Sequence, residues 1–286
     1  MVRKLFIFFV LGYSTQSSAS SMNVLNLSTA TQQGKIAYLE LEGLQSHDKT
    51  KVRFLENEIA CYPRSTNLNK KKWNCFIGIP ADAPIGIQSL SLLINGSTVA
   101  TLSVDISSCS FPVETLSLTQ EKKSLFTQKG RDLELIKIRA ALKTESEKRY
   151  WEKKFIWPLK GKFESDYGEK RMVDGKLLAG YHRGLDIGAP LGTIIKAIHH
   201  GKVILAAPFI EEGNMVMIDH GQGFISAYLH LSKILVHTGE FIHKGDPIGK
   251  VGSTGISTSP HLHFGTYLHS TPVDPRYFLI FPFEPS

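Results

Sequence analysis

From residue 155 onward, glycine cuts the chain into apolar runs too short to be helices: TIIKAI (193–198), KVILAA (202–207), NMVMID (214–219) and FISAYLHL (224–231). Runs of about four to eight residues bounded by turn-forming residues are strand signals, because a helix that buries one face needs about ten residues or more. The region therefore reads as a strand-rich domain, and the one helical turn expected in it lies near Pro275. It also holds every histidine but His47, ten of the eleven in the chain.

Two other regions precede it. Residues 22–118 alternate apolar and polar side chains between turns, most clearly in SLLINGSTVATLSV (91–104), where Asn95-Gly96 is a strong hairpin signal. ADAPIGIQ (81–88) supplies another break. We expect a small antiparallel β-sandwich here, immunoglobulin-like, without a catalytic constellation. Cys61 and Cys75 lie in adjacent strand-like runs and are candidates for a disulfide, which leaves Cys109 as a free buried thiol or an intermolecular link. Residues 119–154 are rich in Lys, Glu and Arg. There Leu133, Ile136 and Ala140, and Leu135, Ile138 and Leu142, recur at helical spacing, as in a solvated connecting helix lying against one or both domains.

The N-terminus has the make-up of a secretory signal over residues 1–19. Arg3 and Lys4 precede an apolar run from Leu5 to Tyr13, and Ser17 and Ala19 are small residues suited to cleavage. That run is shorter than a membrane span, no later segment reads as a transmembrane anchor, and no cysteine follows it to carry lipid. Loss of Arg3 and Lys4 would lower the formal charge from +7 to +5. A mildly basic exported chain suits an anionic envelope polymer, and export argues against nucleic acid. The expected location is the periplasm or cell envelope.

Chemistry concentrates in two stretches. In YHRGLDIGAP (181–190), His182 and Asp186 are separated by Arg183, Gly184 and Leu185. Gly184, Gly188 and Pro190 argue against a helix, so a turn leading into a strand must converge the two side chains. In STSPHLHFGTY (257–267), His261 and His263 would project from one face of a strand, with Leu262 and Phe264 turned into apolar packing. Two nitrogens and one oxygen suit zinc, and three protein ligands leave a position open for water. Either His261 or His263 completes such a set. In AYLHLS (227–232), His230 and Tyr228 would share the face opposite Ala227, Leu229 and Leu231, and His230 is a further candidate for proton handling.

Together, HRGLDIGAPLGT, VMIDHGQGFISAYLHLS, GEFIHKGDPIGKVGSTGISTSPHLHF and VDPRYFL resemble the catalytic domain of lysostaphin-type (LytM-like) zinc metallopeptidases, in family order over about residues 155–280. The resemblance implies an antiparallel β fold, a duplicated hybrid motif, with a cleft above one sheet. It implies one zinc held by His182, Asp186 and His263, with His230 and His261 acting in catalysis. It implies hydrolysis of peptide bonds in bacterial peptidoglycan, in stems or cross-links, by a zinc-activated water, with cell-division or envelope proteins as partners. Ser259 stands where the family usually has glycine, and GEKRMVDGKLLAGY (168–181) lengthens a loop at the cleft rim. Some relatives have lost ligands and activate another cell-wall hydrolase, so a non-catalytic envelope module is the alternative. The glycine-punctuated hairpin of VHTGEFIHKGDPIGKVGSTG (236–255) also resembles biotinyl carriers, but no matching lysine context is present. His199, His200, His220, His237, His243 and His269 match no site position; His199-His200-Gly201 and His220-Gly221 sit at turns, so exposed polar residues are expected. The expected domains are thus a signal (1–19), a sandwich (22–118), a helical linker (119–154) and a peptidase domain (155–286).

Overall fold

The computed structural model describes residues 22–64, 72–125, 128–152 and 154–283. The expected signal segment lies outside these residues. Chain packing divides the molecule after Cys109 into two units.

The first unit is two β-sheets around one core. One orders Asn23–Leu27, Ile36–Glu42, Lys72–Gly78 and Tyr62–Arg64. The other orders Ala30–Gln32, Ser97–Ser107, Gly86–Ile94, Thr50–Phe54 and Asn57–Ala60. Along Ser97–Ser107, Ala100, Leu102, Val104 and Ile106 point inward and the residues between them outward, as period-2 patterning requires. They meet Leu39, Leu41 and Ile77 of the facing sheet in a single buried cluster. The Asn95-Gly96 turn takes positive φ at both residues (51° and 84°), the backbone of a type I′ hairpin that suits the strand twist. Cys61 and Cys75 form a disulfide, and Cys109 is free and half-buried.

The second unit is centred on a sheet that orders Lys162–Ser165, Leu185–Gly188, His261–Leu268, Phe224–Leu231, Gly213–Gly221, Gly201–Phe209 and Phe241–Ile242, with Thr271–Val273 also paired to His261–Leu268. Every pairing in it is antiparallel. Alternation gives the sheet two different faces. Ile187, Phe224, Tyr228, Leu262 and Phe264 are all buried, and Phe224 stacks into an aromatic cluster with Trp151, Phe155, Phe278 and Phe283. The opposite face carries Met215, Met217, Ile225, Ala227, Leu229 and Tyr267, which pack against Ile138 and Ala141 of the helix Gln128–Leu142.

That helix lies against the sheet of the second unit along a narrow stripe. Its buried stripe is Glu134, Ile138 and Ala141, while Leu133 and Ile136 are exposed. The helix stops at Leu142. Beyond it the chain runs along the sheet end, where Gln222 N–H donates to Ser146 O and Tyr150 N–H to His220 O, and Trp151 is buried. The expected boundary at residue 118 also falls differently. Val113–Leu116 pairs in parallel with Lys170–Val173, so residues 110–118 belong to the second unit. The helical turn near Pro275 is present as Pro275–Ile280, capped by the Asp274 side chain, which accepts from Arg276 N–H.

Candidate active site

Register brings the two chemical stretches together. In the pairing of Leu185–Gly188 with His261–Leu268, Asp186 lies opposite His263 and Gly188 opposite His261. Residues opposite each other in an antiparallel pair share a face, so Asp186, His261 and His263 all point to the side that the long helix also covers. His182 reaches them from the turn before the strand. A side chain at Gly184 has no room, because a Cβ there would stand 2.6 Å from His263 Nε2 and 2.7 Å from Phe264 O.

The ligand atoms converge tightly. His182 Nε2 lies 3.0 Å from Asp186 Oδ1 and 2.8 Å from His263 Nδ1, and His263 Nδ1 lies 2.8 Å from Asp186 Oδ1. His182 Nδ1 stands 2.8 Å from the carbonyl oxygen of Asp166. A carbonyl only accepts, so Nδ1 carries the hydrogen and Nε2 keeps its lone pair toward the cluster. With that tautomer, protons cannot satisfy all three edges of this triangle, because His263 Nδ1–H would be the one donor facing two acceptors and the edge from His182 Nε2 to Asp186 Oδ1 would have none. A cation relieves that crowding. Among the described residues this trio is the one group of metal-ligating side chains whose donor atoms all lie within 4.8 Å of one another. Its donor set fits zinc with a position left open. Burial by itself raises the Asp186 carboxyl, but the charges and hydrogen bonds of His182 and His263 outweigh it and hold the group well below the usual carboxylate range. Burial presses His263 down to about 4 despite Asp186 beside it.

The two remaining histidines stand next to this trio. His261 Nδ1 donates to Ser259 O at 2.8 Å, and its Nε2 stands 3.8 Å from Asp186 Oδ1. His230 Nδ1 donates to Thr254 O at 2.9 Å, and its ring centre lies 5.1 Å from that of His261 and 6.0 Å from that of His263. In both rings the carbonyl partner fixes the tautomer, which leaves Nε2 as an acceptor. Burial, with His263 and His261 nearby, lowers His230 to about 3, so its ring is neutral. Regular alternation would place His230 with Tyr228 in the core. Its backbone is instead left-handed (φ 62°), a conformation that costs a non-glycine residue about 1–2 kcal/mol. This turns the ring onto the face of the other histidines. The expectation that His230 and Tyr228 share a face is thereby corrected, since Tyr228 stays in the core and its hydroxyl accepts from Ile198 N–H.

Residues upstream of the histidine-rich stretches build one side of the cleft. Glu114, Leu116 and Leu118 alternate with exposed Thr115 and Ser117 and line a cavity of about 110 Å³ beside Asp186, His230 and His261. Lys122 Nζ fastens the segment across the cleft by donating to the carbonyls of Ser253 (3.2 Å) and Gly255. The expected rim loop contains Arg171, whose Nη2 donates to Asp186 Oδ2 at 2.7 Å. Neither Glu114 nor Arg171 carries a sequence signal, since Glu114 is an isolated charge and Arg171 is one of several charges in the expected rim loop. The six other histidines lie outside the cavity, but only His237 and His243 are exposed as expected, while His200 and His269 are half-buried. His199 and His220 are buried, the first bonded to Glu152 O and the second to His200 O and Ser226 Oγ.

Residues 180–275 match the profile of peptidase family M23. The chain is 35% identical over 115 residues to the peptidoglycan DD-endopeptidase ShyA of Vibrio cholerae, covering 40% of this chain and 27% of that protein. It is 36% identical over 121 residues to the murein hydrolase activator EnvC of Escherichia coli, covering 42% and 28%. The chain thus spans about a quarter of the length of the curated relatives it matches. A crystal structure of a putative M23 peptidase from Pseudomonas aeruginosa superposes with a TM-score of 0.66 at 28% identity, over 86% of this chain and 93% of that one. This chain therefore carries a domain of peptidase family M23, the lysostaphin-type peptidases.

Proposed function

We propose that the chain is an exported, zinc-dependent endopeptidase that hydrolyses peptide bonds of bacterial peptidoglycan. The observation that carries this reading is the convergence of His182 Nε2, Asp186 Oδ1 and His263 Nδ1 within 3.0 Å, with His230 and His261 beside them. Zinc bound to such a set polarises a carbonyl and brings the pKa of a water at its open position toward neutrality. His182, Asp186 and His263 supply that set. His261 and His230, each held through Nδ1 by a carbonyl, keep Nε2 available, suited to take a proton from the nucleophile and return it to the leaving amine. Protonated, either ring becomes a donor suited to a developing oxyanion.

Similarity to a protein named as an activator favours a second reading, an envelope module that binds or switches on another hydrolase. The complete histidine and aspartate set favours the enzyme. Digestion of purified peptidoglycan with mass analysis of the released fragments separates the two. The enzyme should hold about one zinc, release peptide fragments by itself, and stop when the metal is chelated. A chain that binds zinc but releases nothing supports the module.

A further inference from the structure

Asp186 has two carboxylate oxygens, and the trio uses one. Oδ1 faces His182 and His263, while Oδ2 accepts a 2.7 Å bond from Arg171 Nη2. The Asp186 side chain is 6% exposed and that of Arg171 26%, so this charge-assisted bond is largely shielded from water. Arg171 is in turn held from the other side. Its Nε faces Glu114 Oε2 at 3.6 Å, and neither of these two buried atoms makes a hydrogen bond. Glu114 Oε1 accepts from Ser165 Oγ at 3.0 Å. Four strands contribute, because Glu114 lies on Val113–Leu116, Arg171 on Lys170–Val173, Ser165 on Lys162–Ser165 and Asp186 on Leu185–Gly188.

We propose that Arg171 is a positioning residue for Asp186, and that Glu114, from the segment upstream of the family-matched domain, holds Arg171 in place. The inference rests on the reading of His182, Asp186 and His263 as zinc ligands. A carboxylate with a free second oxygen can rotate or bind a metal through both oxygens. With Oδ2 committed to Arg171, Oδ1 alone is presented. Charge by itself predicts the opposite sign. A guanidinium beside a dication weakens binding, so deleting it while keeping Glu114 would tighten the site. The paired carboxylate of Glu114 offsets the Arg171 charge, which leaves the geometric contribution to dominate.

The sign therefore decides the test, made on the full chain. Zinc affinity is measured by competition with a chromophoric chelator, and the visible spectrum of the cobalt-loaded protein reports ligand geometry. Arg171→Met should bind zinc about 10- to 100-fold more weakly, the usual loss when a group that orients a ligand is removed, and should alter the cobalt band. Glu114→Gln should weaken zinc in the same direction but less. The double variant should lose less than the product of the two single effects, because the residues act as one unit. Arg171→Lys, which reaches Asp186 but cannot fork to Glu114, should recover part of the affinity. Melting of the chelator-treated proteins checks that folding is unchanged, and the isosteric Glu114→Gln keeps the test open if Arg171→Met folds poorly. Equal or tighter zinc binding in Arg171→Met overturns the positioning role. Fully independent losses in the double variant overturn the link through Glu114. A wild-type chain that takes up no zinc instead sinks the ligand assignment beneath both.

Discussion

Replacing His261 and His263 one at a time separates two roles within a single H-x-H. The side chains share one face of one strand and both lie near Asp186 Oδ1, His263 Nδ1 at 2.8 Å and His261 Nε2 at 3.8 Å. A metal contact needs the nearer atom, so His263→Ala should lose bound zinc and activity together. His261→Ala leaves His182, Asp186 and His263 in place, and zinc should stay while turnover falls. A lost general acid–base group typically costs about 10²- to 10⁴-fold, or about 2.7–5.4 kcal/mol on the barrier at 1.36 kcal/mol per decade. His230→Ala should behave like His261→Ala, and the double variant should fall short of the product if the rings serve one proton path. Metal content by elemental analysis and peptide release from purified peptidoglycan are measured on the same preparations. Zinc lost from His261→Ala but kept in His263→Ala would reverse the assignment. Full activity in His230→Ala would refute its catalytic role.

Acid should destabilise the second unit through His220. The ring is buried against His199, His200 and Phe155, and its pKa is lowered to about 3, chiefly by burial. The unfolded chain therefore takes the proton first as pH falls. The His220 contribution is complete above about pH 6.5 and is lost below it by about 1.4 kcal/mol per unit, near 2 kcal/mol at pH 5, with buried His199 and His230 adding to it in the same direction. Denaturant midpoints at pH 7.5 and 5 should show this, and His220→Gln that keeps the full slope would disprove the source. Removing the Cys61–Cys75 bridge, which spans 14 residues, should destabilise the first unit by about 3 kcal/mol; an unchanged denaturation midpoint in Cys61→Ala/Cys75→Ala would contradict this. Lys122→Ala should loosen the segment across the cleft. If its bonds to Ser253 and Gly255 favour the closed form by about 1.4 kcal/mol, activity on soluble peptides should rise about tenfold, and a fall in activity would show that the segment serves the substrate instead.

The sequence by itself determined the parts whose physics is local. Alternation along 97–107 and the short runs between glycines in 193–231 specify strands, because side chains two residues apart share a face wherever the strand is placed. The Asn95-Gly96 hairpin was legible because few residue pairs accept two positive φ angles. His261 and His263 were legible as neighbours for the same period-2 reason, and the glycines after His182 excluded a helix there. What lay beyond local reading depended on register and packing. The pairing of Asp186 with His263 follows from how two distant strands align, and spacing along the chain does not encode it. The ring of His230 reaches the cleft only because its backbone leaves the regular strand conformation, which alternation cannot anticipate. His199 and His220 read as exposed turn residues, yet the fold buries them and satisfies them with backbone carbonyls. Residues 110–118 carry a strand pattern that is equally compatible with either unit, and only their pairing with Lys170–Val173 places Glu114 beside Arg171. A charge that carries no sequence signal acquires a role only when tertiary structure sets it, largely shielded from water, against an opposite charge.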